Sequence, residues 1–225
     1  MMMKFEHKKV DLGYEDLVAI TKPEGRKYVT PDHNKYYPSI TTILSHKSKP
    51  GIEAWKKRIG YEEAAKILRK AYTRGTAVHL LIEKYLQNEK NCTSEFMPDI
   101  VGSFMDLKPF FDNRIGTIYG QEMALYSDHF EVAGRVDCVA EFDGKMSIID
   151  FKTSLKPKKK EWVESYFMQE CFYAIAFEER TKIPVTQLVT IIAVDNSTPE
   201  LYIEHRDDWV EPLREVIKEY NTLDK

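Results

Sequence analysis

Hydrophobic and polar positions change their period along this chain, and the changes mark its elements. The first 25 residues hold no sustained period and read as irregular. Arg26 to Thr30 and Lys35 to Tyr37 flank Pro31-Asp32-His33-Asn34, a turn-rich tetrapeptide that predicts a small hairpin. Ser39 is placed to cap a short helix through Leu44. After a break at Lys49-Pro50-Gly51, Ile52 to Leu86 reads as mostly helical, interrupted at Gly75-Thr76, with Thr76 capping the last part. Ile100, Phe104, Leu107 and Phe111 are spaced as the buried stripe of a further helix.

The pattern then turns β-like. Ile118 to Tyr126, Glu131 to Phe142 and Lys145 to Phe151 predict three strands joined by tight turns. Trp162 to Arg180 returns to helical spacing. Gln187 to Val194 is a β-rich apolar run, Leu201 to His205 a further strand, and Asp207 to Leu223 a closing helix. This order predicts a mixed α/β fold, a central mixed sheet with an antiparallel meander flanked by helices. A length of 225 residues suits one such domain with a small elaboration. We place the elaboration (hairpin and short helix) at 1–50 and the main domain at 51–225.

Composition narrows the classes. Hydrophobic residues make up 43%, enough for a core, which argues against wholesale disorder. The net charge of −3 gives no global attraction to nucleic acid, so DNA binding must use local patches. Two basic stretches qualify: Lys152 to Lys160, and Lys47, Lys49, Lys56, Lys57 and Arg58 around Trp55. Each is equally readable as a solvated lysine face. Three scattered cysteines form no CxxC pair, against a disulfide framework or zinc ribbon and consistent with a reducing compartment. No apolar run reaches membrane-span length. Met1 to Lys4 lacks the apolar stretch of a signal peptide, and nothing after it is Arg-rich like a transit peptide. The expectation is a soluble cytoplasmic protein without a membrane partner.

Chemistry concentrates at one hairpin. Asp143-Gly144 is a strong two-residue turn signal. If Phe142 pairs with Lys145, continuing the register sets Asp137 directly opposite Asp150. Opposed residues on a ladder have Cβ atoms about 5 Å apart, and like charges there repel. A divalent cation between them converts the repulsion to attraction, because hard cations take oxygen ligands. Lys152 lies two residues past Asp150 and therefore on the same strand face, where its ammonium can orient water or stabilise negative charge. A salt-bridged strand end is the plainer reading of that segment, and a bulge would break the register. His79, with Glu83 one helical turn later, offers an imidazole; Glu122 lies on the preceding strand; Gln169 and Tyr173 project together at i, i+4. Read singly, each also fits a structural residue. Tyr36, Tyr37 and Trp55 are equally readable as base-stacking or as core residues.

Together these residues resemble a known family. Gly134-Arg135-Val136-Asp137 followed by Ile149-Asp150-Phe151-Lys152 is similar to motifs II and III of the PD-(D/E)XK nucleases. Arg74-Gly75-Thr76-Ala77-Val78-His79, and Gln169 with Tyr173, resemble motifs of the RecB-like branch. Tyr37-Pro38-Ser39-Ile40-Thr41 and Trp55-Lys56 look like the leading segment of the mitochondrial genome maintenance exonuclease group and its phage relatives.

The resemblance implies a restriction-endonuclease-like core and a Mg²⁺- or Mn²⁺-dependent DNA exonuclease, favouring single strands. It implies that His79, Asp137, Asp150 and the Phe151 carbonyl bind metal, with Glu122 as a further candidate. Lys152 would position the attacking water, supported by Gln169 and Tyr173. Ser39 and Thr41 would lie near DNA, joined by Trp55, Lys156 and Lys158 from the basic stretches. A structure-specific endonuclease and an inactive DNA-binding scaffold are the alternatives. The three cysteines argue against the iron–sulfur version of the family, and no phosphate-binding loop of an ATPase is present, so a helicase or replication protein would be a separate partner.

Overall fold

A computed structural model describes residues 4–223; residues 1–3, part of the stretch read above for a leader, lie outside the described residues. The predicted hairpin forms from β2 (Gly25–Val29) and β3 (Tyr36–Pro38), with Val29 opposite Tyr36. A further strand, β1 (Ala19–Lys22), pairs with β2. All four of its residues are exposed, so there is no alternation from which to read it.

Ser39 caps α1 (Ile40–Ile59), its hydroxyl accepting the Thr42 N–H at 3.1 Å. The helix neither stops at Leu44 nor breaks at Pro50-Gly51, so a boundary between residues 50 and 51 would cut it. Pro50 leaves the carbonyl of half-buried His46 without its helical donor, and the exposed residues 47–52 beside it give water access there. The break comes at Gly60 (φ +92°), a backbone angle that favours glycine. From there α2 (Tyr61–Leu86) runs unbroken through Gly75-Thr76, and Gly75 faces the Thr153 hydroxyl. The helix α3 (Pro98–Arg114) buries Ile100, Phe104, Leu107 and Phe111 as their spacing predicts.

The main sheet has five strands: β4 (Ile115–Ser127), β5 (Val132–Phe142), β6 (Lys145–Ser154), β7 (Gln187–Val194) and β8 (Glu200–His205). The first three form the antiparallel meander. The chain then crosses through α4 (Glu164–Thr181) so that β7 lies parallel to β6, and β8 returns antiparallel. One face is covered by α2 and α3, through Val78, Leu81, Phe104 and Phe111 against Cys138, Ile149 and Val189. The other is covered by α1, α4 and α5 (Val210–Leu223), through Ile40, Ile43, Phe172 and Leu213 against Val136, Ile148 and Leu188. Each such fully buried Leu, Ile or Phe contributes roughly 1.5–3 kcal/mol, and this clamps the helices to the sheet.

The leading segment is tied to this body. Ile118 exchanges hydrogen bonds with Glu6 and Lys8 at 2.8 Å each, and Phe5 is buried in the α2–α3 core. Tyr37 is buried, and its hydroxyl donates to Asp128 at 2.8 Å, so this tyrosine is core rather than a stacking surface. Among the described residues no helix is long and apolar enough to cross a membrane.

Candidate active site

The hairpin register predicted from Asp143-Gly144 holds from Phe142↔Lys145 to Cys138↔Ile149 and stops there. Asp137 and Asp150 are therefore not a ladder pair: they stand where the two strands part. Beyond that point β6 keeps its bonds to β7, with Asp150 opposite Thr190, while β5 keeps its bonds to β4. The edge that β6 vacates is taken up by the chain entering α1, where Ser39 bridges to Ala133. Gly134 lets this seam close: a Cβ there would stand 2.8 Å from a Tyr173 ring carbon and 3.0 Å from an Ile40 methyl.

Asp137 still reaches across the parting, its Oδ2 accepting the Phe151 N–H at 2.9 Å. The same oxygen lies 3.5 Å from His79 Nδ1, presented by α2. Glu122 completes the group: one ligand atom from each of His79, Glu122 and Asp137 falls within 4.8 Å of the others. Sequence alone left Glu122 uncertain because its reach depended on loop length. The structure adds two features a pattern cannot show, register shifts in β4 between Ile115 and Gly120 and a left-handed backbone at Glu122 (φ +49°). Arg135 donates to the Glu122 carbonyl and helps hold that conformation. Burial pushes the Glu122 carboxyl up to about 7, with the Asp137 and Glu83 charges adding to the shift.

Asp150 sits deeper, 1% exposed, on the α4 side. Its Oδ2 meets the Lys152 ammonium in an ion pair and has no hydrogen-bond partner besides. Its Oδ1 faces the Gln169 amide at 3.5 Å, and that amide also reaches the Tyr173 hydroxyl at 3.3 Å. Burial raises Asp150 to about 6 against the pull of Lys152. Burial alone would depress Lys152, but the Asp150 and Asp137 charges outweigh it and hold its ammonium above the ordinary lysine value. The Lys152 ammonium also lies 5.1 Å from the centre of the Tyr166 ring.

Glu170, which the sequence reading passed over, is fully buried behind Asp150. It accepts the Thr190 hydroxyl, and burial raises its carboxyl well above the usual range. A signal was present: it lies one turn from Phe167 and Ala174 on the apolar side of α4.

The remaining predicted residues separate. Ser39 is 2% exposed and its hydroxyl is spent on the α1 cap, so it offers nothing to a strand. Thr41 is exposed and lines a cavity of about 400 Å³ with Ser45, Ser48, Ser165, Tyr166 and Gln169. Trp55 is half-buried on α1. Lys156 and Lys158 are exposed on the loop after β6, where Glu200 accepts the Lys158 backbone N–H. The Phe151 side chain is buried at 3% exposure.

A sequence model of the PD-(D/E)XK nuclease superfamily matches residues 109–222, the segment that carries β4 to α5. The chain belongs to the PD-(D/E)XK nuclease superfamily. Its mixed sheet flanked by helices is the restriction-endonuclease-like fold of that superfamily. Similar curated proteins are named mitochondrial genome maintenance exonuclease 1. The one from Mus musculus is 30% identical over 129 residues, covering 54% of this chain and 38% of that protein. The Xenopus tropicalis protein is 29% identical over 133 residues (56% and 38%), and the Homo sapiens protein 24% over 136 (57% and 40%). The match thus spans about two-fifths of the length of these relatives.

The side chains of the site fit a hard divalent cation. Two carboxylates and an imidazole gather their ligand atoms, no thiolate is among them, and the neighbouring buried Asp150 has one oxygen whose sole partner among the described residues is an ammonium.

Proposed function

We propose that this chain is a Mg²⁺- or Mn²⁺-dependent DNA exonuclease acting on single strands. One observation carries the reading: His79, Glu122 and Asp137 gather ligand atoms within 4.8 Å beside a buried Asp150–Lys152 pair. A fold gains nothing from crowding carboxylates that burial already penalises. Asp137, Asp150, Glu122, His79 and the Phe151 carbonyl are the groups that would hold the metal. When bound, a divalent cation polarises the phosphoryl oxygens and lowers the pKa of water.

The chain's own residues supply the rest. The Lys152 ammonium, fixed against Asp150, orients water and faces the negative charge that develops on phosphate. Gln169, linked to both Asp150 and Tyr173, holds the aspartate in place. Thr41 and the exposed Lys156 and Lys158 contact the flanking strand. The names of the relatives support an exonuclease.

The test is digestion of end-labelled linear single strands, with each end blocked in turn, beside a closed circular single strand, in Mg²⁺, Mn²⁺ and chelator. Metal-dependent loss of the linear strand with the circle intact is expected. Cutting of the circle would make the chain an endonuclease, and no cutting in either metal would make it a binding scaffold.

A further inference from the structure

A second cavity, of about 570 Å³, lies across α1 from the one beside Gln169. That volume is in the range that accommodates one small ligand. Lys22, Arg26, Lys27, His46 and Lys49 line it against a single carboxylate, Glu24. Lys47, nearby on α1, is paired with Glu219 at 2.8 Å, whereas among the described residues no carboxylate pairs with Lys22, Lys27 or Lys49. Arg26 spends only its Nε, on Thr21. The chain as a whole is acidic, so a concave cluster of three unpaired lysines beside Arg26 is a local choice and not a general surface property. Tyr36 stands at the same cavity with 57% of its surface exposed, and among the described residues no ring or cation stacks on it. Anion-binding groups beside an open aromatic face match a nucleotide, phosphate and base together.

The wall of this cavity is fixed to the active site. The Arg26 N–H donates to the Thr42 hydroxyl at 3.0 Å, and the Ser39 N–H donates to the Arg26 carbonyl at 2.8 Å. Gly25 permits this approach: a Cβ there would stand 2.3 Å from the Thr42 methyl. Ser39 in turn bridges to Ala133, four residues along β5 from Asp137, or about 13 Å of strand. Thr41 lines the first cavity and Thr42 the second, so the two lie on either side of the first turn of α1.

We propose that this cavity holds one nucleotide of the substrate strand at a distance from the cleaved bond, the lysines on its phosphates and Tyr36 on its base. The proposal rests on the single-strand reading above and adds a second anchor point to it. A strand long enough to reach both cavities binds at two places, which keeps a long substrate in register while its end is cut.

The test compares the parent with Lys22→Glu/Lys49→Glu and with Tyr36→Ala, all at exposed positions outside the catalytic group. Binding of a thymidylate strand of about twelve nucleotides is followed by fluorescence anisotropy in chelator, where no cutting occurs. Cleavage of a labelled trinucleotide, which leaves few nucleotides to occupy a second anchor point, is followed in Mn²⁺. The double variant should bind the long strand about tenfold more weakly, and its salt slope should fall by roughly 0.7 for each lost phosphate contact. Trinucleotide cleavage should stay parental. Tyr36→Ala should weaken long-strand binding with the salt slope unchanged. Long-strand affinity within twofold of the parent in both variants would overturn the proposal. So would binding of free thymidine monophosphate that the long strand cannot displace, which would make this a site for free nucleotide. Absence of trinucleotide cleavage in the parent would instead count against the nuclease reading and leave the binding comparison intact.

Discussion

The Asp137 carboxylate accepts the backbone N–H of Phe151 at 2.9 Å, across strands that have stopped pairing one residue earlier. This single bond keeps the two acidic positions together after the ladder ends. Asp137→Ala removes both the bond and a proposed ligand, whereas Asp137→Asn keeps an oxygen able to accept it. Both variants should lose cleavage by at least about a hundredfold, as loss of a direct electrostatic contributor does. Only Asp137→Ala should also loosen the strand end, seen as faster amide exchange at Phe151.

The buried pair makes a second prediction. Lys152→Met strands a carboxylate that is 1% exposed, and breaking a buried pair from one side costs about 3 kcal/mol or more. Cleavage should vanish and the melting temperature should fall by several degrees. The double variant Asp150→Asn/Lys152→Met, which leaves no unpaired charge, should be equally inactive but recover much of that loss. Thermal denaturation of the three proteins decides: equal melting temperatures for the single and double variants would contradict a coupled pair.

Acidity of the site sets a pH dependence. Glu122 is raised from 4.5 to about 7, and Asp150 from 3.8 to about 6. Their folded-state protons are held more tightly than in the unfolded chain. The metal-free protein should therefore lose stability as pH rises from the ordinary carboxylate range through about 7, and level off above. Cation affinity should move the opposite way, because binding requires the ionised groups. Calorimetric Mn²⁺ titrations should show affinity climbing up to about pH 7. Glu122→Gln should flatten the upper part of that climb and raise the metal-free melting temperature at alkaline pH.

His79 contributes an imidazole 3.5 Å from Asp137 and meets the Phe151 ring edge-on, while its helix is anchored in the core by Val78, Leu81 and Ile82. His79→Ala should lower Mn²⁺ affinity roughly ten- to a hundredfold, the range seen when groups around a metal are removed, with a melting temperature near the parent's. A variant that bound Mn²⁺ as tightly as the parent would remove His79 from the ligand set.

Gly134 tests the seam. A methyl group there must displace Tyr173 or Ile40, both of which are buried. Overpacking of this kind costs typically 1–3 kcal/mol. Gly134→Ala should destabilise the fold by that amount in urea titration, and cleavage should fall as well because Tyr173 carries the Gln169 contact.

Legibility of the sequence followed the physics of each segment. The strand β7 coincides with the apolar run Gln187–Val194 because a strand buried on both faces needs no alternation to be seen. The Asp143-Gly144 turn carried its register through five pairs, and His79, Asp137, Asp150, Lys152, Gln169 and Tyr173 do lie together. What the turn could not reveal is where pairing ends: past Ile149 β6 keeps its bonds to β7 on its other edge, while β5 keeps β4 and takes up Ser39 in place of β6. Local breaker rules misplaced the helix boundaries: exposed Pro50 is tolerated, while Gly60, with its positive φ, makes the break. Glu122 depended on shifts in β4 that leave no periodic trace. Glu170 stayed hidden because a glutamate on a helix is ordinarily assumed to face water.

The bridge from Ser39 to Ala133 also bears on how the molecule could be trimmed. A nuclease core cut out by removing the first forty or so positions would keep the residues proposed to do the chemistry, yet it would expose the half of β5 that β6 abandons. Bare strand margins recruit strands from other molecules. Such a fragment should form soluble aggregates or swapped dimers, visible by size-exclusion chromatography, because the leading segment covers that margin in the intact fold.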